Sequence, residues 1–124
     1  MFKAMFIAGC GGFLGTCLRF LAGKISGLLF ATPFPYGTLT VNLVGCLLIG
    51  IFSALAEKSQ LLSSSMTLFL VTGFCGGLTT FSSFSNDSFL LLQQRQWIYV
   101  ATYLCSTLFV GLLFVWVGRL LVKG

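Results

Sequence analysis

Four apolar stretches, separated by short polar breaks, run the length of the chain. They cover about residues 4–22, 38–56, 66–92 and 97–118. A helix needs roughly 20 mostly apolar residues to cross a bilayer, and each stretch supplies them. The pattern predicts an all-α membrane protein, with residues 1–124 forming a single domain of four transmembrane helices. The breaks read as turns. Thr32-Pro33-Phe34-Pro35-Tyr36-Gly37 carries two prolines, Glu57-Lys58-Ser59-Gln60 and Ser63-Ser64-Ser65 are polar, and the third break is Gln93-Gln94-Arg95-Gln96. Phe30, Phe34, Tyr36, Trp97, Tyr99 and Trp116 lie near the stretch ends, where aromatic belts form.

The third stretch departs from the pattern. Its segment Gly73-Phe74-Cys75-Gly76-Gly77-Leu78-Thr79-Thr80-Phe81-Ser82-Ser83-Phe84-Ser85 carries three glycines and five hydroxyl residues. Glycine costs about 1 kcal/mol against alanine inside a helix. Hydroxyls compete for backbone hydrogen bonds. The third helix is therefore expected to be broken near its middle, within this segment. Irregular backbone at membrane depth is tolerated where it is buried in protein or lines a water-filled path. The segment points to a protein that moves something across the membrane.

Composition narrows the class. Hydrophobic residues make up 57% and charged residues 7%, against about 25% charged in a soluble domain. The net charge of +5 comes from basic residues that flank the apolar stretches. That placement suits a lipid bilayer and argues against nucleic acid. There is no histidine, so imidazole proton relays are excluded. The five cysteines, Cys10, Cys17, Cys46, Cys75 and Cys105, all fall inside apolar stretches without a CxxC pair, and read as small buried apolar residues. With four spans, Lys3, Lys58, Arg119 and Lys123 share one side, while Lys24, Arg95 and Arg19 share the other. This charge balance gives little orientation bias. Such a chain can insert both ways and pair antiparallel, as an intermolecular inverted repeat. A weakly biased monomer or a parallel dimer stays open on these counts. Small-xxx-small rows, Ala8/Gly12, Gly11/Gly15 and Cys46/Gly50/Ala54, predict close helix packing.

Polar residues inside the spans have two readings each. Thr38, Asn42 and Cys46 share one helical face. Asn42 is either a donor to a passing anion or interhelical hydrogen-bond glue. Arg19 either concentrates anions at an opening or snorkels to the interface. Phe81 and Phe84 either present positive ring edges to an anion or pack as core. Tyr103 and Thr107, one turn apart, either line a path or bond to their own helix. Proton-coupled exporters of organic cations need an embedded carboxylate, and only Asp87 lies within a span. The remaining interior groups are donors, which suit an anion.

Three motifs then carry a resemblance. Gly76 to Ser85 (GGLTTFSSFS), Thr38 to Gly45 (TLTVNLVG) and Gly12 to Phe20 (GFLGTCLRF) occur in an order and spacing that resemble the fluoride channel family, Fluc or CrcB. The resemblance covers all four spans. It implies an antiparallel, dual-topology homodimer in the plasma (inner) membrane. Two pores would export fluoride passively and lower its toxicity, with no enzyme activity. It also implies residue roles. Asn42, Phe81 and Phe84 would line the fluoride pathway, with Thr38, Ser82, Ser85, Tyr103 and Thr107 along it. Arg19 would stand at the vestibule. The helix break would fall over Gly76 to Thr79, with the helix resuming at Phe81, and backbone carbonyls of Gly76 and Thr79 would hold a structural sodium ion at the dimer interface. Where a further fourth-span hydroxyl is expected, this chain has Gly111, and Ser83 stands where many members carry threonine. The alternatives are a small multidrug-type proton-coupled exporter, which the missing first-span glutamate opposes, and a non-conducting structural membrane protein.

Overall fold

The computed structural model describes residues 1–30, 34–58 and 63–123. Regular structure among them is entirely helical. Helix α1 spans Phe2–Leu29 and α2 spans Tyr36–Lys58. The third span, Ser64–Gln93, consists of two helices: α3 over residues 64–78 and α4 over Phe81–Gln93. Helix α5 spans Trp97–Lys123. All four spans are long and apolar enough to cross a bilayer, and the protein is a multi-pass membrane protein. The helices run past the apolar stretches, α1 most of all, because Lys24 and Ser26 do not interrupt backbone bonding. The Phe30 N–H still closes on the Ser26 carbonyl. Parts of the first two expected turns, residues 31–33 and 59–62, lie outside the described residues. The third is a tight turn in which Arg95 takes φ 57°.

Two helix pairs organise the packing. Helix α1 lies along α3, and α2 lies along the second half of α5. Glycine explains how closely they approach. A Cβ built on Gly11 collides with the Phe69 carbonyl, and one on Gly15 collides with the Phe74 carbonyl. From the other side, Gly73 meets the Ala8 carbonyl and Gly77 the Gly12 carbonyl. Gly50 against Val115, and Gly118 against Leu47, do the same for α2 and α5. The small-xxx-small rows are thus seams within one chain.

The interruption falls one step later than the glycines suggested. Gly76–Leu78 remain helical, and among the described residues no glycine takes a positive φ. The extended residues are Thr79 (φ −86°, ψ 156°) and Thr80 (φ −153°, ψ 128°). Gly73 and Gly77 provide close approach to α1, and the threonines make the break. Two stretches, Leu68–Cys75 and Ser106–Val110, carry wider π-helical bonding. Such bulges mark functional regions more often than plain helix does.

An aromatic core closes one end. Phe34, Phe84, Leu91, Val100 and Tyr103 are buried together. Phe34 is therefore a core residue and not part of an interfacial belt. Its ring meets Tyr99 and Tyr103 edge-on at 5.6 and 5.7 Å. At the far ends of α2 and α5, Arg119 donates to Glu57 at 2.6 Å and Lys58 to the Val122 carbonyl at 2.9 Å. Only Cys75 of the five cysteines is buried; Cys46 is half-buried, and Cys10, Cys17 and Cys105 lie on outer faces beside residues such as Phe13 and Phe109. Apolar outer faces have no water to avoid in hydrocarbon, so burial within the chain was not required of them.

The seams predict a contrast between glycines. Gly15→Ala and Gly118→Ala should each destabilise the folded protein by about 1–3 kcal/mol through overpacking. Gly9→Ala and Gly27→Ala, which face open space, should be neutral or slightly stabilising. Thermal unfolding in detergent checks this, and equal effects at all four positions would refute the seam assignment.

Candidate functional site

A backbone that leaves helical geometry at membrane depth exposes N–H and C=O groups that need partners. At this break the partners come from three helices. The Asn42 amide, buried on α2, pairs with both backbone groups of Thr80. Its Oδ1 accepts from the Thr80 N–H at 2.8 Å, and its Nδ2 donates to the Thr80 carbonyl at 3.3 Å. Arg19 on α1 donates from Nε to the Gly77 carbonyl at 3.0 Å. Thr79 folds back, with its N–H and its hydroxyl both donating to the Cys75 carbonyl at 3.0 and 2.9 Å. Thr80 caps α4, its Oγ1 accepting from the Ser83 N–H at 3.3 Å. Gly45 leaves room on α2 for the Thr79 methyl, since a Cβ there would collide with it.

The break takes the helical donor from four main-chain oxygens, those of residues 76–79, and Arg19 answers the one on Gly77. The Thr80 N–H goes to Asn42 where a continuous helix would send it to Gly76. The Ser83 N–H goes to the Thr80 hydroxyl where it would otherwise reach Thr79. The Gly76 and Thr79 carbonyls are thereby freed, and Gly76 faces open space. The break also sets two helix ends close together. The C-terminal end of α3 carries partial negative charge and the N-terminal end of α4 partial positive charge.

Two recesses adjoin the start of α4. The first, about 260 Å3, is lined by Asn42, Cys46 and Ile49 of α2, Thr79 and Thr80 of the break, Phe81 and Phe84 of α4, and Thr107 and Leu108 of α5. The Thr107 hydroxyl is buried and has no hydrogen-bond partner. The second, about 290 Å3, is lined by Arg19, Phe20, Gly23, Lys24, Thr38 and Ser83. It holds two cations, and the Lys24 Nζ stands 5.6 Å from the Phe20 ring centre.

The expected site residues divide between these places. Asn42, Phe81, Phe84, Thr107 and Thr79 meet in the first recess, and Arg19 with Thr38 in the second. The Phe81 and Phe84 ring centres are 5.8 Å apart. They differ in setting: Phe81 is 75% exposed and Phe84 6%. Tyr103, fully buried, stands behind Phe84 with ring centres 5.0 Å apart and donates to Asp87 at 3.2 Å. Ser82 is exposed, its hydroxyl 3.2 Å from that of Thr80. Ser85 is exposed and lines neither recess.

Several contributors escaped the sequence reading. The Asp87–Tyr103 bond joins residues 16 apart in the chain, and no local spacing announces it. Asn42 was visible as a polar residue in an apolar span, but its attachment to Thr80, 38 residues away, was not. Lys24 had been counted only as a flanking charge.

The sequence has known counterparts. A family model described as CrcB-like protein, Camphor Resistance (CrcB), matches residues 6–119. The chain belongs to the CrcB family. Relatives of this family bear the name fluoride-specific ion channel FluC. One from Flavobacterium psychrophilum is 41% identical over 121 residues, covering 98% of each chain. One from Chlorobium phaeobacteroides is 42% identical over 122 residues, 98% of this chain and 94% of the relative. One from Clostridium perfringens is 43% identical over 117 residues, 94% of this chain and 91% of the relative. The CrcB match spans the two recesses and the break between them.

Removing the Asn42 side chain should leave the Thr80 N–H and carbonyl unpaired. Asn42→Ala should therefore lower stability by about 1–3 kcal/mol. Thr107→Val, which removes a hydroxyl with no partner in the chain, should leave stability unchanged or slightly raised. Denaturation in detergent reads both, and a Thr107→Val loss as large as that of Asn42→Ala would contradict the assignment.

Proposed function

We infer that this chain is a fluoride-specific ion channel that lets fluoride leave the cytoplasm passively. One observation carries the physical side: a single recess at a helix N-terminus gathers an amide, an unpartnered hydroxyl and two phenyl rings, with no carboxylate in its lining. The ion itself is named by the relatives. Fluoride enters a cell as neutral HF and ionises inside. The membrane potential then drives the anion out without ATP or a coupled ion. In a bacterial cell the site of action is the inner membrane.

Fluoride is small and strongly hydrated, so dehydration needs close donors. Arg19 and Lys24 raise the local anion concentration beside Thr38 and Ser83. The positive end of α4 attracts the ion toward the break. Asn42 keeps one N–H beyond the two bonds it makes to Thr80, and the Thr107 hydroxyl is free to donate. The ring edges of Phe81 and Phe84 offer weaker contacts, and conduction needs sites weak enough to leave. Tyr103 backs Phe84 and sets its tilt. Ser82 and Ser85 stay on the exposed face of α4, where a second subunit would meet them. A cation exporter finds less support: of the two carboxylates, Glu57 pairs with Arg119 at a helix end and Asp87 is engaged by Tyr103.

The functional unit in this reading is an antiparallel homodimer with two pores. Exposed Phe81, the outward-facing Gly76 and the balanced end charges support it. A sodium ion on the dimer axis fits the chemistry of the freed Gly76 and Thr79 carbonyls, because hard cations take oxygen ligands. A second copy would complete the shell. When bound, such an ion would supply positive charge beside these oxygens.

Purified protein in liposomes should pass fluoride and exclude chloride. Chloride flux of comparable size, or no fluoride flux, would overturn the reading. Phe81→Ile with Phe84→Ile, and separately Thr107→Val, should cut fluoride flux on the order of tenfold or more while the protein stays folded. Replacing sodium by a large organic cation should lower dimer stability in detergent, and identical melting in both salts would remove the sodium site.

A further inference from the structure

We propose that Cys46 continues the fluoride path beyond Thr107, in place of the side chain that Gly111 lacks. The proposal rests on the channel reading and names one more residue for it. Tyr103, Thr107 and Gly111 recur one turn apart on α5, and the track of hydroxyls ends where glycine begins. Gly111 is buried, so its missing side chain leaves room inside the protein and not at the surface. That room is taken from across the helix pair. A Cβ built on Gly111 would lie 3.3 Å from the Cys46 sulfur.

Cys46 sits one turn after Asn42 on the same face of α2. It lines the recess that holds Asn42, Phe84 and the unpartnered Thr107 hydroxyl. The other cysteines are placed elsewhere. Cys75 is 1% exposed, and Cys10, Cys17 and Cys105 lie on outer faces. A thiol is a weak S–H donor on a polarisable atom. It gives a departing anion a contact weaker than a hydroxyl would, which suits the last site of a path that must release its ion. The wall of donors therefore crosses from α5 to α2 at this level.

The thiol also supplies a chemical handle, since soft ligands select soft metal ions. Silver ion exchanges with the S–H proton and stays on sulfur, releasing one H+. Fluoride efflux from liposomes in chloride-free buffer, with and without silver ion, is the experiment. Silver should block the parent protein. It should still block the triple variant Cys10→Ser, Cys17→Ser, Cys105→Ser. Cys46→Ser should still conduct and should no longer be blocked. Cys46→Val, which keeps the shape and removes the donor, should lower flux on the order of tenfold with little change in melting temperature. Cys46→Ala with Gly111→Ser, which returns a hydroxyl to α5, should recover flux relative to Cys46→Ala alone.

Silver that blocks Cys46→Ser as it blocks the parent, or fails to block the parent, overturns the proposal. So does a Cys46→Val channel that conducts like the parent, or a folded Cys46→Ser protein that is silent. If Cys46→Val does not fold, the silver comparison decides. These outcomes leave the channel reading intact, whereas a parent protein silent to fluoride removes both.

Discussion

The pairing of Asn42 with Thr80 is the interaction on which the rest depends. Two residues of extended backbone sit in the middle of a membrane span, where water cannot answer their polar groups. A side-chain amide has the same donor and acceptor as a peptide group, so it can take the place of a neighbouring strand or helical turn. Asn42 does this for Thr80, and Arg19 does it for Gly77. Only because those groups are answered can the segment remain non-helical. The orientation of α4, the setting of Phe81 and Phe84 and the freeing of the Gly76 and Thr79 carbonyls all follow.

The same break arranges charge without ionised groups. The end of α3 and the start of α4 lie within a few residues of each other, and they bear opposite partial charges. A cation suits one and an anion the other. A segment with no charged residue between Gly73 and Ser85 thus presents partial charges of both signs. Arg19 adds a full positive charge nearby while one of its nitrogens is held in place by the Gly77 carbonyl.

Much of this was legible in the chain. Four apolar stretches gave four spans, because hydropathy over roughly 20 residues reports directly on membrane crossing. The third-span break was legible from its hydroxyls and glycines. The extended backbone falls on Thr79 and Thr80, one step past the glycines, because Gly73 and Gly77 serve close approach to α1 and not flexibility. That function depends on which helix lies opposite, and local sequence does not say. Phe34 was assigned to an interface by its position at a stretch end, yet it folds over Tyr103, since a ring beside Pro35 can reach back into the core. Asn42, Phe81, Phe84 and Thr107 stood out as polar or aromatic residues inside the spans, and the resemblance gave each a role. What the chain could not announce were the long-range partners, Thr80 for Asn42 and Asp87 for Tyr103, because they are set by tertiary registration.

The glycine seams have a thermal consequence. Most helix interfaces are assembled from long side chains, and each freezes rotamers when it packs, by as much as about 2 kcal/mol for the most flexible. Gly11, Gly15, Gly73 and Gly77 between α1 and α3, and Gly50 and Gly118 between α2 and α5, have no rotamers to freeze. Their contacts are backbone on backbone, rich in dispersion and poor in entropy loss. Helix docking in this chain is consequently less opposed by side-chain entropy than in a leucine-lined bundle, and because that opposition scales with temperature, heating raises it by a smaller amount here.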